Sequence, residues 1–171
     1  MDMRHATLSL TFLIVSLSST FAQDDTGCDK FAWRLARERA WFAQSDKMVV
    51  KAGDKLDTIP ERAFVITLQP RDAASFVMPP GRKPKRPKAF GGTILFGAVT
   101  HPGFYQVTLS DDAWVDLIQD GHYLRSAGSS GRRDCPGLQK SVRLELAAGA
   151  LILQLSDVEP RTIAVAIGPV E

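Results

Sequence analysis

"AWVDLIQDGHYLRS", residues 113–126, carries the strongest short-range fold signal in this chain of 171 residues. Two β-prone runs flank Asp120-Gly121, the dipeptide that a type I′ turn favours because both central residues need positive φ. The stretch is therefore expected to form a tight hairpin. Working outward, the same grammar recurs. "GGTILFGAV" (91–99) is apolar enough for a buried strand, "THPG" (100–103) is a turn, and "FYQVTLS" (104–110) alternates Tyr105, Val107 and Leu109. "SVRLELAAGALILQLS" (141–156) predicts strand, turn, strand, with Val142, Leu144 and Leu146 on one side. "RTIAVAIGPV" (161–170) alternates Ile163, Val165 and Ile167, and "ERAFVITLQP" (61–70) alternates Phe64, Ile66 and Leu68. "AASFVMPP" (73–80) is expected as a short strand closed by prolines. "AGDKLDT" (52–58) is expected as a turn-rich link, and "AGSSGRRDCPG" (127–137) as a polar loop.

Near the start, "CDKFAWRLARERAWFAQ" (28–44) has no Gly or Pro and is rich in Ala, Leu and Arg, which predicts one short helix that Asp29 could cap. Lys30, Arg34, Arg37 and Glu38 fall on one face by helical spacing, and Phe31, Leu35 and Phe42 on the other. Eight or nine short strands with one N-terminal helix predict a mostly β chain, an antiparallel β-sandwich of jelly-roll-like or immunoglobulin-like form, with a barrel as the alternative.

The first residues, "MDMRHATLSLTFLIVSLSSTFAQDD", combine Arg4, a short apolar run from Leu8 to Leu17, and small residues at Thr20 and Ala22. This predicts a signal peptide over 1–22 and a single domain over 23–171. The apolar run is shorter than the roughly 20 residues a membrane span needs, so no transmembrane segment is expected after cleavage. Cys28 and Cys135 are the only cysteines. In a chain bound for the periplasm or beyond, such a pair predicts a disulfide.

Candidate chemistry is sparse. Two histidines follow the signal, His101 and His122. With a carboxylate such as Asp116 or Asp120 they would make a non-haem iron site, the metal-dependent alternative. No HxD or HxxE spacing supports it, and no residue set calls for a cofactor. "SAGSSG" lacks the strand-to-helix context of a nucleophile elbow. Trp114 and Tyr123, at the two ends of the hairpin, could form an aromatic platform, with Asp116, His122 and Lys140 as polar neighbours; if they point inward they are core.

"PPGRKPKRPKAFGG" (79–92) holds Arg82, Lys83, Lys85, Arg86 and Lys88 and no acid, although the whole chain carries only +2. Export and the lack of any nucleic-acid fold signature argue against a nucleic-acid arm. Two readings remain: a contact for lipid headgroups or an anionic envelope polysaccharide, or a proline-stiffened solvated loop.

"GCDKFAW…RERAWF", "LQPRDAASFVMPPGRKPKRPKAFGGTI", "YQVTLSDDAWVDLIQDG" and "DCPGLQKSVRLELAAG" together resemble a family of small secreted alphaproteobacterial proteins of unestablished function, over nearly the whole of residues 23–171. Some members carry a homogentisate 1,2-dioxygenase label; that enzyme is far larger and uses histidine and glutamate ligands that this chain does not supply. Relatives often have proline where this chain has Arg34, which implies room for a longer helix here. The sequence thus predicts a periplasmic or secreted, non-catalytic binding or envelope-associated module. The rivals are the iron enzyme on His101 and His122 and a periplasmic enzyme inhibitor that inserts residues 79–92 or 126–134 into its partner.

Overall fold

The hairpin forms where its turn residues dictate. Asp120 and Gly121 take φ of 50° and 74°, the left-handed pair a type I′ turn needs, and Gln119 pairs with His122 across them. The structure is a computed structural model that describes residues 27–171, so the signal peptide expected over 1–22 lies outside the described residues.

Twelve strands form among the described residues: β1 (Met48–Lys51), β2 (Lys55–Thr58), β3 (Phe64–Thr67), β4 (Gln69–Pro70), β5 (Phe90–Val99), β6 (Gly103–Leu109), β7 (Trp114–Gln119), β8 (His122–Tyr123), β9 (Ser126–Gly131), β10 (Lys140–Leu146), β11 (Gly149–Val158) and β12 (Thr162–Pro169). They build two sheets. The first runs β1-β3-β12-β6-β10-β9; the second runs β2-β5-β11-β7-β8, with β4 also on β5.

The alternating residues meet between the sheets. Phe64, Ile66, Val107, Leu109, Leu144, Leu146, Ile163, Val165 and Ile167 come from the first sheet; Ile94, Phe96, Leu151, Leu153 and Leu155 come from the second. All are almost fully buried. Phe64 and Phe96 bridge the two layers edge to face at 6.3 Å, an arrangement favoured by the ring quadrupoles. Each large aliphatic side chain fully buried here stabilises the fold by about 1.5–3 kcal/mol. This is the sandwich that the period-two pattern predicts.

Several local expectations are corrected. The sheets are mixed rather than purely antiparallel, because β1 lies parallel to β3 and β2 parallel to β5. β2 falls within the stretch 52–58 expected as a link, and β1 immediately precedes it. Asp54 accepts the Lys51 N–H at 2.7 Å, turning the corner so that one short segment serves an edge of both sheets. Residues 127–131, expected as loop, join Ser126 in β9, a strand of Ser, Ala and Gly that exists because β10 offers its edge; pairing overrides weak propensity. Residues 73–80 form no strand. The Val77 and Met78 N–H groups instead donate to the Gln154 side chain.

The single expected helix is two pieces, a 3-10 turn (Gly27–Lys30) and α1 (Ala36–Ala43). Asp29 does not cap α1, whose N-cap is Leu35 without a side-chain bond. Between the pieces the Ala32 N–H donates to Ser130 Oγ and Trp33 Nε1 to Ser141 Oγ, so tertiary anchors replace the helical ladder. Glu38, expected among surface charges, is buried.

The outer face of each sheet is roofed by a segment without strands. Residues 27–43 cover the first sheet, fastened by the Cys28–Cys135 disulfide. Residues 71–89, with the basic loop, cover the second.

Candidate functional site

Three outward side chains of the second sheet set the site. Gln154 on β11 stands directly opposite Asp116 on β7, and Trp114 lies two residues before Asp116 on the same face. Asp157, next to last in β11, has φ of 60°, a left-handed conformation that aspartate tolerates better than most residues, beside an irregular register with β5.

The basic loop is threaded onto these groups. The Gln154 side chain accepts from Val77 and Met78 and donates to the Met78 carbonyl at 3.0 Å. The Gly81 N–H donates to Asp116 Oδ2 at 3.0 Å, while Trp114 Nε1 donates to Asp116 Oδ1 at 2.8 Å. A Cβ on Gly81 would stand 2.7 Å from the Asp116 carboxylate, so glycine permits this approach. The Asp157 carboxylate accepts the backbone N–H groups of Lys85 and Arg86 and the Arg82 guanidinium at 2.9–3.2 Å. Arg86 also donates to the Asp157 carbonyl and reaches Asp112 at 3.3 Å.

Electrostatics follow from this geometry. Burial pushes the Asp157 carboxyl upward, but the Arg86 and Lys85 N–H groups and the Arg82 guanidinium outweigh it and hold Asp157 below the ordinary aspartate range. Lys140 donates to the Ala113 carbonyl and lies 3.8 Å from Asp112. Desolvation lowers its pKa; Asp112 opposes the shift, and Arg82, Lys85 and Arg86 reinforce it. The Arg82 guanidinium stacks 4.8 Å from the Trp114 centroid, and Lys140 Nζ lies 5.7 Å from the same ring, within cation–π range. Arg82 Nε is buried without a hydrogen-bond partner.

Of the residues singled out in the sequence, Trp114, Asp116, Tyr123 and Lys140 do gather near one another, around the loop. The aromatic platform carries the chain's own roof: Arg82 lies over Trp114, and Tyr123 Oη donates to the Pro79 carbonyl. The five basic residues divide by role. Arg82 and Arg86 are half-buried and bound to carboxylates; Lys83, Lys85 and Lys88 have exposed side chains. His122 stays outside the cluster, exposed, its ring on the Asp120 carbonyl. His101 lies on the β5–β6 turn beside Thr100 and lines a cleft of about 790 Å³ at one end of the sandwich. Among the described residues no three His, Cys, Asp or Glu side chains are grouped to hold a metal, and no helix is long and apolar enough to cross a membrane.

Sequence reasoning missed Asp157 and Gln154, which organise the site. The signal was faint but present: "LILQLSDVEP" (151–160) interrupts an apolar strand with three polar residues, Gln154, Ser156 and Asp157, whose groups must be satisfied when buried. Comparison with known protein families, curated proteins and solved structures finds no match.

Proposed function

We propose that the protein is a non-catalytic, envelope-associated binding module of the periplasm or cell exterior, and that its contact surface is the clamped loop, which meets anionic lipid headgroups. The observation that carries this reading is the division of labour within the loop. Its backbone and arginines are consumed in holding it down, so Lys83, Lys85 and Lys88 are displayed on a fixed frame instead of a mobile arm. Exposed apolar surface borders the same loop, at Val77 (53% exposed) and Tyr123 (41%). Basic groups beside apolar ones suit an interface with both headgroups and acyl boundary. The disulfide is compatible with an oxidising compartment.

The test is vesicle sedimentation with purified protein. At about 1 kcal/mol per lysine near an anionic surface, changing all three lysines to glutamine weakens binding on the order of 100-fold, while the thermal midpoint stays put. Equal binding to neutral and anionic vesicles, or a triple variant that binds like the parent, would sink the proposal. Binding to a soluble anionic polysaccharide but to no vesicle would replace the lipid with a glycan.

A further inference from the structure

The roof of the first sheet encloses a second basic site, unrelated to the loop. Across that sheet one transverse row reads Gly128, Arg143, Gln106, Gly168, each paired with the next on β9, β10, β6 and β12. The two glycines leave room for the roof. Trp33 lies over Gly128, where a Cβ would sit 3.4 Å from its ring, and Arg37 and Trp41 lie over Gly168, at 3.0 and 3.2 Å from such a Cβ. Between these props the roof stands off the sheet, leaving a pocket of about 450 Å³ lined by Trp33, Arg34, Arg37, Glu38, Gln106 and Arg143, with Glu171 at its edge.

The charges in this pocket are unequally used. Glu38 Oε1 accepts from both Nε and Nη2 of Arg37, at 3.0 and 2.6 Å, so that pair is internally neutralised. Glu171, 66% exposed, reaches Arg37 at 3.4 Å. Arg34 and Arg143 have no carboxylate within ion-pair distance among the described residues. Arg143 is nonetheless held in place. Its Nε donates to Gln106 Oε1 at 3.0 Å and its guanidinium stacks on Trp33 at 4.4 Å. Trp33 is itself tied through Ser141 to Thr108, both fully buried. Nη1 and Nη2 of Arg143 hold no hydrogen bond among the described residues. A planar fork fixed by its stem with its outer donors unused is the geometry that receives a carboxylate in two parallel bonds.

We infer that this pocket is a binding site for a small organic anion, whose carboxylate is taken by Arg143 and Arg34 and whose body rests beside the Trp33 indole. The site is independent of the lysine loop, which roofs the opposite sheet.

The experiment titrates the disulfide-bonded protein with benzoate at constant ionic strength. The indole Nε1–H resonance of Trp33, identified by its loss in Trp33→Phe, reports occupancy. The parent shows a saturable shift. Arg143→Gln weakens binding roughly tenfold or more, the worth of a charge-assisted bidentate contact, and Arg143→Lys does likewise, because an ammonium lacks the fork. Arg34→Gln, at an exposed position with no structural bond, weakens binding without touching the fold, so the test stands even if Arg143 variants fold poorly. The Lys83, Lys85 and Lys88 triple glutamine variant binds benzoate as the parent does. No saturable shift in the parent, or unaltered affinity in both Arg143→Gln and Arg34→Gln, overturns the assignment; so does loss of binding in the lysine variant alone.

Discussion

Two roofs cover this sandwich, and they are fastened by different physics. The N-terminal roof, residues 27–43, is held covalently at Cys28–Cys135, with polar contacts to Ser130, Ser141 and Pro169 as secondary ties. The loop roof, residues 71–89, has no covalent tie. It is held by one amide and two carboxylates, Gln154, Asp116 and Asp157, that accept backbone N–H groups. Both stack a guanidinium on tryptophan, Arg143 on Trp33 and Arg82 on Trp114. Both hide polar sheet residues: Gln106, Thr108 and Ser141 under the first, Thr93, Asp116 and Gln154 under the second. A covalent tie acts chiefly on the unfolded chain, whereas a carboxylate clamp acts on the folded state and depends on pH. The first roof should therefore resist acid and yield to reductant, and the second the reverse.

The largest effect is expected from the staple. Replacing Cys28 and Cys135 together by alanine lowers stability by about 3–5 kcal/mol, since the bridge closes a loop with a sequence separation of 107. Denaturant unfolding measures this, and hydrogen exchange should show protection lost over 27–43 and kept over 77–88. Loss of protection in both roofs would mean that they are one cooperative unit.

Asp157→Ala comes next, at about 2–4 kcal/mol. It strips the acceptor from two backbone N–H groups, leaves Arg82 without a carboxylate and Arg86 with Asp112 alone, and does so at a left-handed position that alanine dislikes. Asp157→Asn tolerates the positive φ and keeps one acceptor oxygen, although it removes the charge and turns the other acceptor into an NH2 donor, so it should cost less than the alanine variant. Limited proteolysis should cut both within residues 82–88 while leaving 27–43 intact.

The pH dependence has a definite sign. The folded pKa of Asp157 lies below its unfolded value, so the unfolded state binds a proton first as pH falls. The contribution of Asp157 is fully present above the ordinary aspartate pKa of about 4 and is lost as pH drops through the lower folded value. The parent should lose more stability than Asp157→Asn across that acid window and the two curves should converge at its bottom. Parallel curves would remove Asp157 from the clamp.

The smallest effect is expected from the glycine row. Gly168→Ala presses a methyl to 3.0 Å from Arg37 and 3.2 Å from Trp41 and should cost about 1 kcal/mol. Gly128→Ala meets Trp33 at 3.4 Å, an ordinary contact, and should be near neutral. Thermal midpoints of the two variants make the comparison.

Legibility tracked how local each cause was. Phe64, Ile66 and Leu68 announced β3 and its continuation because alternation encodes burial on one face, and Asp120-Gly121 announced its turn because few residues accept two positive φ values. β9 was illegible: "SAGSSG" has no strand propensity and pairs only because β10 is present. The broken helix was illegible for a related reason, since Ser130 and Ser141 lie about a hundred positions away and capture Ala32 and Trp33. Of the candidate site, Trp114, Asp116, Tyr123 and Lys140 could be named in advance, but not what covers them.

Period-two burial along the chain is enough to specify the sandwich, and the number of cysteines, two, with the expected export of the chain, is enough to specify their pairing. The division of the five clustered basic residues into two kinds comes from tertiary packing instead. The arginines are bound to Asp157 and Asp112 while the lysines face solvent, because charge along a chain is set by composition but its neutralisation depends on which strand end lies beneath it. The same holds for Arg143, an unremarkable strand residue in sequence that becomes a fixed fork when Trp33, 110 positions earlier in the chain, folds down onto its face.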